Sequence, residues 1–319
     1  MLKKYNQGEV IQNKSHAGEI VITNAGDYIQ LWLDHEKLRG QSEKTIEAYS
    51  RGFKRYTDWL QANAVNNPMP KDIARYKLEL SQTYSSQTVN LSLSAIRSFY
   101  GYLVEIGAMP FSIAGDIKGA KRSKANKHKR SELSDGEVLD VLDTCDNTVA
   151  GIRDKAIITL MVYCGLRTIE VHRANIKDLK TANGRMTLGI QGKGRTETDE
   201  IVIVPRNQET VIRAWLAERA RLGDGDALFV SLSNQSYGGR LSTRAIRKLV
   251  TDRYKQAGIV YESKTTHSLR HSAITSAIRN GATPLQVQAM ARHASFDTTL
   301  AYIHEVNRLD NPAEDLIKY

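Results

Sequence analysis

Cysteine and long apolar runs are scarce in this 319-residue chain. The two cysteines, Cys145 and Cys164, cannot complete a zinc site by themselves, and so sparse a pair is typical of reduced intracellular thiols. The longest apolar run, Ala156 to Leu166, is too short and too interrupted to span a bilayer. The N-terminal residues MLKKYNQGEV lack the apolar segment of a signal peptide. We therefore expect a soluble, cytoplasmic protein without a membrane partner.

Three further sequence signatures are missing. No cluster of acidic residues suits a two-metal nuclease, and no GxxxxGK[ST] segment suits a P-loop NTPase. No internal repeat of fixed period is visible either. We accordingly expect neither a metal ion nor a cofactor.

Positive charge, by contrast, is in excess. The formal net charge is +10 and the isoelectric point is near 9.4, in a chain of ordinary globular composition with 41% hydrophobic and 25% charged residues. Such an excess favours a polyanionic partner, and it favours nucleic acid over a membrane surface. The length suggests about two domains, each with its own core.

The first half of the chain predicts a helical domain over residues 25–112, behind a polar N-terminal tail at 1–24. Apolar residues recur there at helical spacing in four segments, which breakers such as Gly40, Pro70 and Gly107 separate or end. We expect the aromatic residues of these stripes to form the core rather than platforms for bases. The predicted core residues are Tyr28, Leu31, Trp32, Leu38, Ile46, Tyr49, Phe53, Tyr56, Leu60, Val89, Leu93, Ile96, Tyr100 and Leu103.

Basic residues outside the stripes are candidates for contacts with phosphates, although a solvated helix surface is an equal alternative for each. Within the linker at 113–132, residues 117–130 carry a run of positive charge without any acid, and this run should stay extended and wet. This run could be a flexible tether, or it could lie across a phosphate backbone. We favour the second interpretation because the linker joins two domains. The candidates are Lys44, Arg51, Lys54 and Arg97 in the helical domain and Lys121, Arg122, Lys124, Lys127, Lys129 and Arg130 in the linker.

The second half predicts a mixed domain over residues 133–304. A capping box at Ser134 opens it, and a helix near 149–164, apolar on most sides, marks its centre. Two strands, MTLGIQ and EIVIVP, flank the hairpin tip GKGRTETD. Further helices lead to a tail at 305–319, and its apolar residues Leu309, Leu316 and Ile317 suggest docking on a neighbouring protomer.

One stretch near the C-terminus holds an unusual density of cationic and phenolic groups. His267 and Arg270 are three residues apart, so a helix presents both on one face. In chain order the wider set is Arg167 in CGLRTIE, Lys193 in GKGR, His267 and Arg270 in HSLRH, His293 in ARH, and Tyr302 in TTLAYIH.

This set resembles the tyrosine recombinase, or phage integrase, family over about residues 25–304. The resemblance implies a mainly α protein: a helical core-binding domain, a basic linker, and a mostly helical catalytic domain with a small antiparallel β-hairpin or sheet. It implies site-specific recombination through a 3′-phosphotyrosine, on a double-stranded DNA recombination site at the nucleoid. It also implies two protomers on each site and four in the synapse. One departure is Arg292, which stands where the family commonly has glycine.

The residue types fit this chemistry. Two guanidiniums, from Arg167 and Arg270, can bind the nonbridging phosphate oxygens bidentately and stay charged. Tyr302 is the expected nucleophile, and its phenol, with an ordinary pKa of about 10, needs a base, for which His267 is the best candidate. Lys193 is the best general acid for the departing 5′-hydroxyl. We expect His293 to hydrogen-bond the phosphate, and Glu170 to support Arg167 or its helix.

Each residue also has a structural alternative. Arg167, taken alone, could cap the C-terminus of the preceding helix. Lys193 could be an ordinary turn residue, and His267 could form a hydrogen bond within the core. Tyr254 or Tyr261 could replace Tyr302, and His271 is expected to be structural. Two other functions remain open: a type IB topoisomerase, and a DNA-binding regulator without catalytic activity.

Overall fold

A computed structural model of the chain describes residues 25–121, 132–191, 198–223, 225–259 and 264–310, together with positions 312, 315 and 317. The chain divides into two units, Met1–Lys127 and His128–Tyr319. The division falls within the stretch predicted as a linker.

The N-terminal unit contains four helices. Ser42 and Ser85 cap the second and fourth, where each side chain accepts a hydrogen bond from a backbone N–H in the first turn. Aromatic rings fill the centre, and the centroids of Phe53 and Phe99 lie 4.3 Å apart beside the buried Trp32. The helices are α1 (Ala25–Leu38), α2 (Glu43–Ala62), α3 (Pro70–Thr83) and α4 (Ser86–Glu105).

Two details of this unit differ from the predictions. Leu31 and Leu38 of α1 are 54% and 88% exposed, because only the face of α1 around Trp32 packs on the other helices. The first part of the linker is not free in water: the side chain of Asn90 on α4 bonds both the N–H and the carbonyl of Ala120, at 2.7 and 3.1 Å. Backbone pairing by this amide holds a stretch that charge alone would leave in water.

The C-terminal unit is organised around α6, which is buried on most sides. A capping box at Ser134 begins α5 as predicted, because Glu137 and Ser134 bond each other's backbone N–H groups. The helices are α5 (Asp135–Asp143), α6 (Val149–Tyr163), α7 (Thr168–Arg173), α8 (Glu209–Arg219), α9 (Thr243–Gln256), α10 (Thr266–Arg279), α11 (Pro284–Ala291) and α12 (Phe296–Asp310).

A small antiparallel sheet lies between α7 and α8. Its order is β1 (Leu179–Ala182), β2 (Arg185–Gln191), β3 (Thr198–Ile203), with Leu179 opposite Leu188 and Thr187 opposite Ile203. The two predicted strands correspond to β2 and β3, and β1 was not predicted. The expected fold class, mainly helical with a small antiparallel sheet, is confirmed.

Helix α12 continues past residue 304, so the expected start of the C-terminal tail falls inside a helix. Leu316 lies outside the described residues, and Ile317 is 57% exposed. Among the helices that the structure describes, none combines the length and the apolar character needed to cross a membrane.

Candidate active site

Arg167 lies at the turn between α6 and α7. Gly165 ends α6 with a backbone φ of +62°, and Arg167 then occupies the N-cap position of α7. The described hydrogen bonds of its side chain go to Glu170 and to the carbonyl of Arg292, and none of these goes to a carbonyl of α6. Glu170, one turn into α7, accepts hydrogen bonds from the backbone N–H and from Nη1 of Arg167, both at 2.8 Å. The predicted support of Arg167 by Glu170 is confirmed.

Arg270 lies on α10, one turn after its N-cap Thr265. Its side chain is buried, with 1% of the residue exposed. Nη1 donates to the carbonyl of Gly165 at 2.5 Å, and Nη2 donates to the carbonyl of Ala291. A guanidinium has five N–H groups, so these two bonds leave donors for a phosphate.

The two predicted arginines come together at the end of α11. Arg270 bonds the carbonyl of Ala291, and Nη2 of Arg167 lies 3.5 Å from the carbonyl of the next residue, Arg292. Burial, followed by the charges of Arg167 and Arg292, lowers the pKa of Arg270 to about 9. Guanidiniums held this close repel each other, and an anion placed between them would relieve that repulsion.

Tyr302 is half-buried on α12, and its ring packs against two imidazoles. The ring centroid is 5.7 Å from that of His293, nearly parallel at 17°, and 4.9 Å from that of His271. It packs on the small apolar cluster that includes Ile274 and Val287. The prediction that His271 is structural missed this contact with the candidate nucleophile.

His293 follows α11 and is 9% exposed. Its Nδ1 lies 2.9 Å from Oγ1 of Thr299, a fully buried hydroxyl on α12. Burial, and then the charges of Arg270, Arg167 and Arg292, lower the pKa of His293 to about 4. The ring is thus neutral near pH 7, and Thr299 fixes which of its nitrogens faces away from α12.

The remaining predicted groups are placed in part. His267 is half-buried on α10, close enough to His293 to lower its pKa. Lys193, between β2 and β3, lies outside the described residues, as does Tyr261. Tyr254 is fully buried, its hydroxyl bonds the carbonyl of Thr265 at 3.2 Å, and burial raises its pKa. Its position makes it a core residue. Within the described ranges, no three His, Cys, Asp or Glu side chains are grouped to hold a metal ion.

The predicted phosphate contacts of the N-terminal unit differ in their surroundings. Lys44 and Arg51 are exposed on α2, and Lys121 is exposed at the end of the described stretch. Lys54 forms an ion pair with Asp58 at 2.8 Å. Arg97 donates from Nε and Nη2 to the carbonyl of Ile117, at 3.2 and 2.9 Å, and so holds the backbone that follows α4. The other predicted contacts lie outside the described residues: Arg122, Lys124, Lys127, Lys129 and Arg130.

Sequence reasoning missed two residues of the site. Thr299 carries no pattern that would mark it, because its role depends on how α12 packs beside His293. Arg292 was visible in the sequence as a departure from glycine, but the sequence did not show where its side chain lies.

Comparisons with known proteins find matches over both units of the chain. Residues 132–308 match the phage integrase family, and residues 29–107 match the phage integrase N-terminal SAM-like domain. Tyrosine recombinase XerC of Pelobacter propionicus is 28% identical over 280 residues, which cover 85% of this chain and 88% of that protein.

Solved structures show the same fold. The XerH site-specific recombinase, in a post-cleavage complex with a palindromic difH substrate, matches with a TM-score of 0.72 at 22% identity, over 88% of this chain and 81% of that one. A lambda integrase tetramer bound to a Holliday junction matches with a TM-score of 0.65 at 15% identity, over 89% and 77%. Because the integrase family model spans more than half of the sequence, the chain belongs to the phage integrase family.

Proposed function

We propose that this protein is a site-specific DNA recombinase, which cuts and rejoins DNA strands through a 3′-phosphotyrosine intermediate. One observation carries the proposal: Arg167 and Arg270, from separate helices, meet at the end of α11 beside His293, whose ring stacks on that of Tyr302. Attack on a phosphodiester requires a nucleophile and fixed positive charges that stabilise the phosphate. The phenol can supply the first, and the two arginines can supply the second.

The roles follow from charge and proton balance. The oxygen of Tyr302 attacks phosphorus, the bond from phosphorus to the 5′-oxygen breaks, and the two arginines stabilise the negative charge on the nonbridging oxygens. A single such donor is worth on the order of 3 kcal/mol. The phenol proton passes to His267, and the 5′-oxygen takes a proton from Lys193. His293, neutral near pH 7, hydrogen-bonds the phosphate.

The phosphotyrosine keeps the energy of the original bond. The reverse attack by a second 5′-hydroxyl therefore joins a new strand without ATP. The same enzyme can exchange strands or reseal them, and the DNA partner presented to the intermediate decides which occurs.

The domain roles belong to the same proposal. Residues 25–112 would bind the core of the DNA site, 113–132 would form the basic linker, and 133–304 would carry out catalysis in the cytoplasm, at the nucleoid. The excess of positive charge supports double-stranded DNA as the partner. Two protomers would occupy each site and four the synapse, as in the lambda integrase tetramer on a Holliday junction. The segment after residue 304 would dock on a neighbouring protomer.

Two rival functions use part of the same geometry. A type IB topoisomerase would relax supercoiled DNA of any sequence with a similar set of arginines and a tyrosine. A DNA-binding regulator would bind a site without cutting it. The family match to an integrase domain favours the recombinase over both.

The test is covalent trapping on a nicked suicide substrate, built on the site that footprinting of source-genome DNA identifies. The unaltered protein should form an adduct, and Tyr302→Phe should bind the DNA equally well but form none. Tyr254→Phe is the matched control, because it removes the hydroxyl of another tyrosine in the same unit, one that is buried in the core. An adduct that persists in Tyr302→Phe would refute the nucleophile. Absence of adduct with the unaltered protein would favour the regulator, and relaxation without sequence preference the topoisomerase.

A further inference from the structure

Arg292 has a backbone conformation that an arginine rarely adopts. It ends α11 with φ of 52° and ψ of 51°, in the left-handed region, immediately before His293. A side chain there crowds the following carbonyl, and glycine avoids the cost. The only other residues of the described chain with positive φ and a side chain are Ala64 and Asn183. The side-chain contacts of Arg292 therefore have to offset the backbone strain at this position.

The side chain of Arg292 points into the protein, where it is 8% exposed. Nη2 donates to Oε2 of Glu170 at 2.6 Å and to the carbonyl of Gly165 at 3.0 Å. Nη1 donates to the carbonyl of Met290 at 2.6 Å and lies 3.5 Å from that of Cys164. One guanidinium thus ties the end of α11 to the end of α6 and to α7.

Two of these acceptors are shared with the catalytic arginines. Glu170 binds Arg292 through Oε2 and the guanidinium of Arg167 through Oε1. The carbonyl of Gly165 accepts from Arg292 and from Arg270. Arg292 therefore shares one hydrogen-bond acceptor with each of the two guanidiniums proposed to bind the phosphate.

The charge balance of this network is also unusual. The network contains three guanidiniums and one buried carboxylate, that of Glu170, so it carries an excess of two positive charges. The carboxylate bonds two of the guanidiniums, those of Arg167 and Arg292. Burial acts to raise the pKa of Glu170, but Arg292, followed by the bonds from Arg167, outweighs it and holds the pKa below its usual range. The carboxylate is fully charged near neutral pH, where it can fix both arginines.

We propose that Arg292 is a positioning residue for DNA cleavage, which fixes Glu170 and the carbonyl of Gly165 and so holds Arg167 and Arg270 in their phosphate-binding positions. The inference rests on the proposed function. Arg292 contributes a third positive charge next to the phosphate without touching it. A glycine in its place would relax the backbone, but would leave the two catalytic arginines with one fewer common support.

The experiment compares variants in single-turnover adduct formation on the suicide substrate, with DNA affinity measured separately. Arg292→Gly is expected to leave the DNA dissociation constant within about threefold and to slow adduct formation by about 10- to 100-fold, since small displacements of positioned groups have effects of this size. Arg292→Lys keeps the charge but lacks the fork, so it should recover only part of the rate.

Two control variants separate positioning from general stability. Asn183→Gly relieves the left-handed backbone of another residue in the same unit, in the turn between β1 and β2, and should cut at the normal rate. Arg219→Gln removes a buried guanidinium that bonds the carbonyls of Ala227, Gly223 and Gly225, and should lower the melting temperature without slowing cleavage.

A coupling measurement adds a readout that a purely structural role would not move. Arg292 acts partly through Glu170 and partly through the carbonyl of Gly165. Adding Arg292→Gly to Glu170→Gln should therefore slow cleavage less than Arg292→Gly slows it in the unaltered protein. Multiplicative rate effects in the double variant would overturn the proposal.

A normal cleavage rate in Arg292→Gly would also overturn it, as would an equal loss in Arg219→Gln. Should Arg292→Gly unfold below the assay temperature, Arg292→Lys decides alone, and a normal rate there would overturn the proposal. Failure of the proposed function is distinguishable, because the unaltered protein would then form no adduct at all.

Discussion

Replacing Glu170 by glutamine should lower both the stability of the protein and the rate of DNA cleavage, because Glu170 contacts Arg167 and Arg292. The carboxylate is 2% exposed and accepts bonds from the backbone and guanidinium of Arg167 and from the guanidinium of Arg292. Glutamine keeps the size and one acceptor oxygen, but it removes the only negative charge in contact with these two guanidiniums in the described structure, and it turns an amide N–H₂ toward one of them.

The size of the effect follows from burial. Removing one partner of a buried ion pair typically costs about 3–5 kcal/mol, because the remaining charge is left uncompensated. We expect a loss of this order in the free energy of unfolding at pH 7, in a urea titration followed by circular dichroism. The cleavage rate should fall about 100-fold, because Arg167 loses the group that orients it.

The stability difference should also depend on pH. The folded pKa of Glu170 is lowered, so its contribution is fully present above the ordinary carboxyl pKa of about 4.3 and is lost as the pH falls through the lower folded value. The stabilities of the unaltered protein and of Glu170→Gln should therefore converge as the pH falls through the folded pKa of Glu170, and they should differ most near neutrality.

Asp154 provides the matched control, since it is also a buried carboxylate between two arginines. It pairs with Arg153 and Arg253, both at 2.8 Å, on elements that carry none of the candidate catalytic residues. Asp154→Asn should destabilise the protein comparably and leave the cleavage rate unchanged at temperatures where it is folded. The reasoning is refuted if Glu170→Gln loses less than about 1 kcal/mol, or if Asp154→Asn slows cleavage equally.

Three further predictions follow from single contacts. Thr299→Val keeps the shape but removes the partner of Nδ1 of His293, so adduct formation should slow about tenfold while DNA affinity holds. The depressed pKa of His293 favours the unfolded state as the pH falls from about 6.5 to about 4, and His293→Gln should remove that part of the pH dependence in a series of urea titrations. Lys44→Ala should lower the slope of log affinity against log salt by about one, whereas Arg97→Ala, whose donors hold the carbonyl of Ile117, should lower stability more than the slope.

Local sequence signals predicted the helices well because they depend on nearby atoms. The capping box at Ser134 marks a helix start that the structure reproduces. The buried helix α6 was recognisable because its own residues are apolar on most of its sides. The resemblance carried by the order of the candidate residues predicted that Arg167 and Arg270 would lie together, and the structure places both at the end of α11.

Other features depend on distant contacts that the sequence does not encode locally. Periodicity placed Leu38 on the apolar stripe of α1 but did not show that nothing in the described unit covers it. Strand β1 is four residues long and half of it is Lys180 and Thr181, so no alternating pattern marks it. The amide of Asn90 holds Ala120 over 30 residues, against what the charge of the linker predicts.

The central claim is that one phenol attacks a phosphate held by two arginines from separate helices. Its most direct test is to digest the trapped protein–DNA adduct with nuclease and protease and to locate the phosphonucleotide by mass spectrometry. The account predicts that the modified peptide contains Tyr302 and that the modification disappears when either Arg167 or Arg270 is replaced by alanine. A modification on Tyr254 or Tyr261, or one that forms at the normal rate without the arginines, would contradict it.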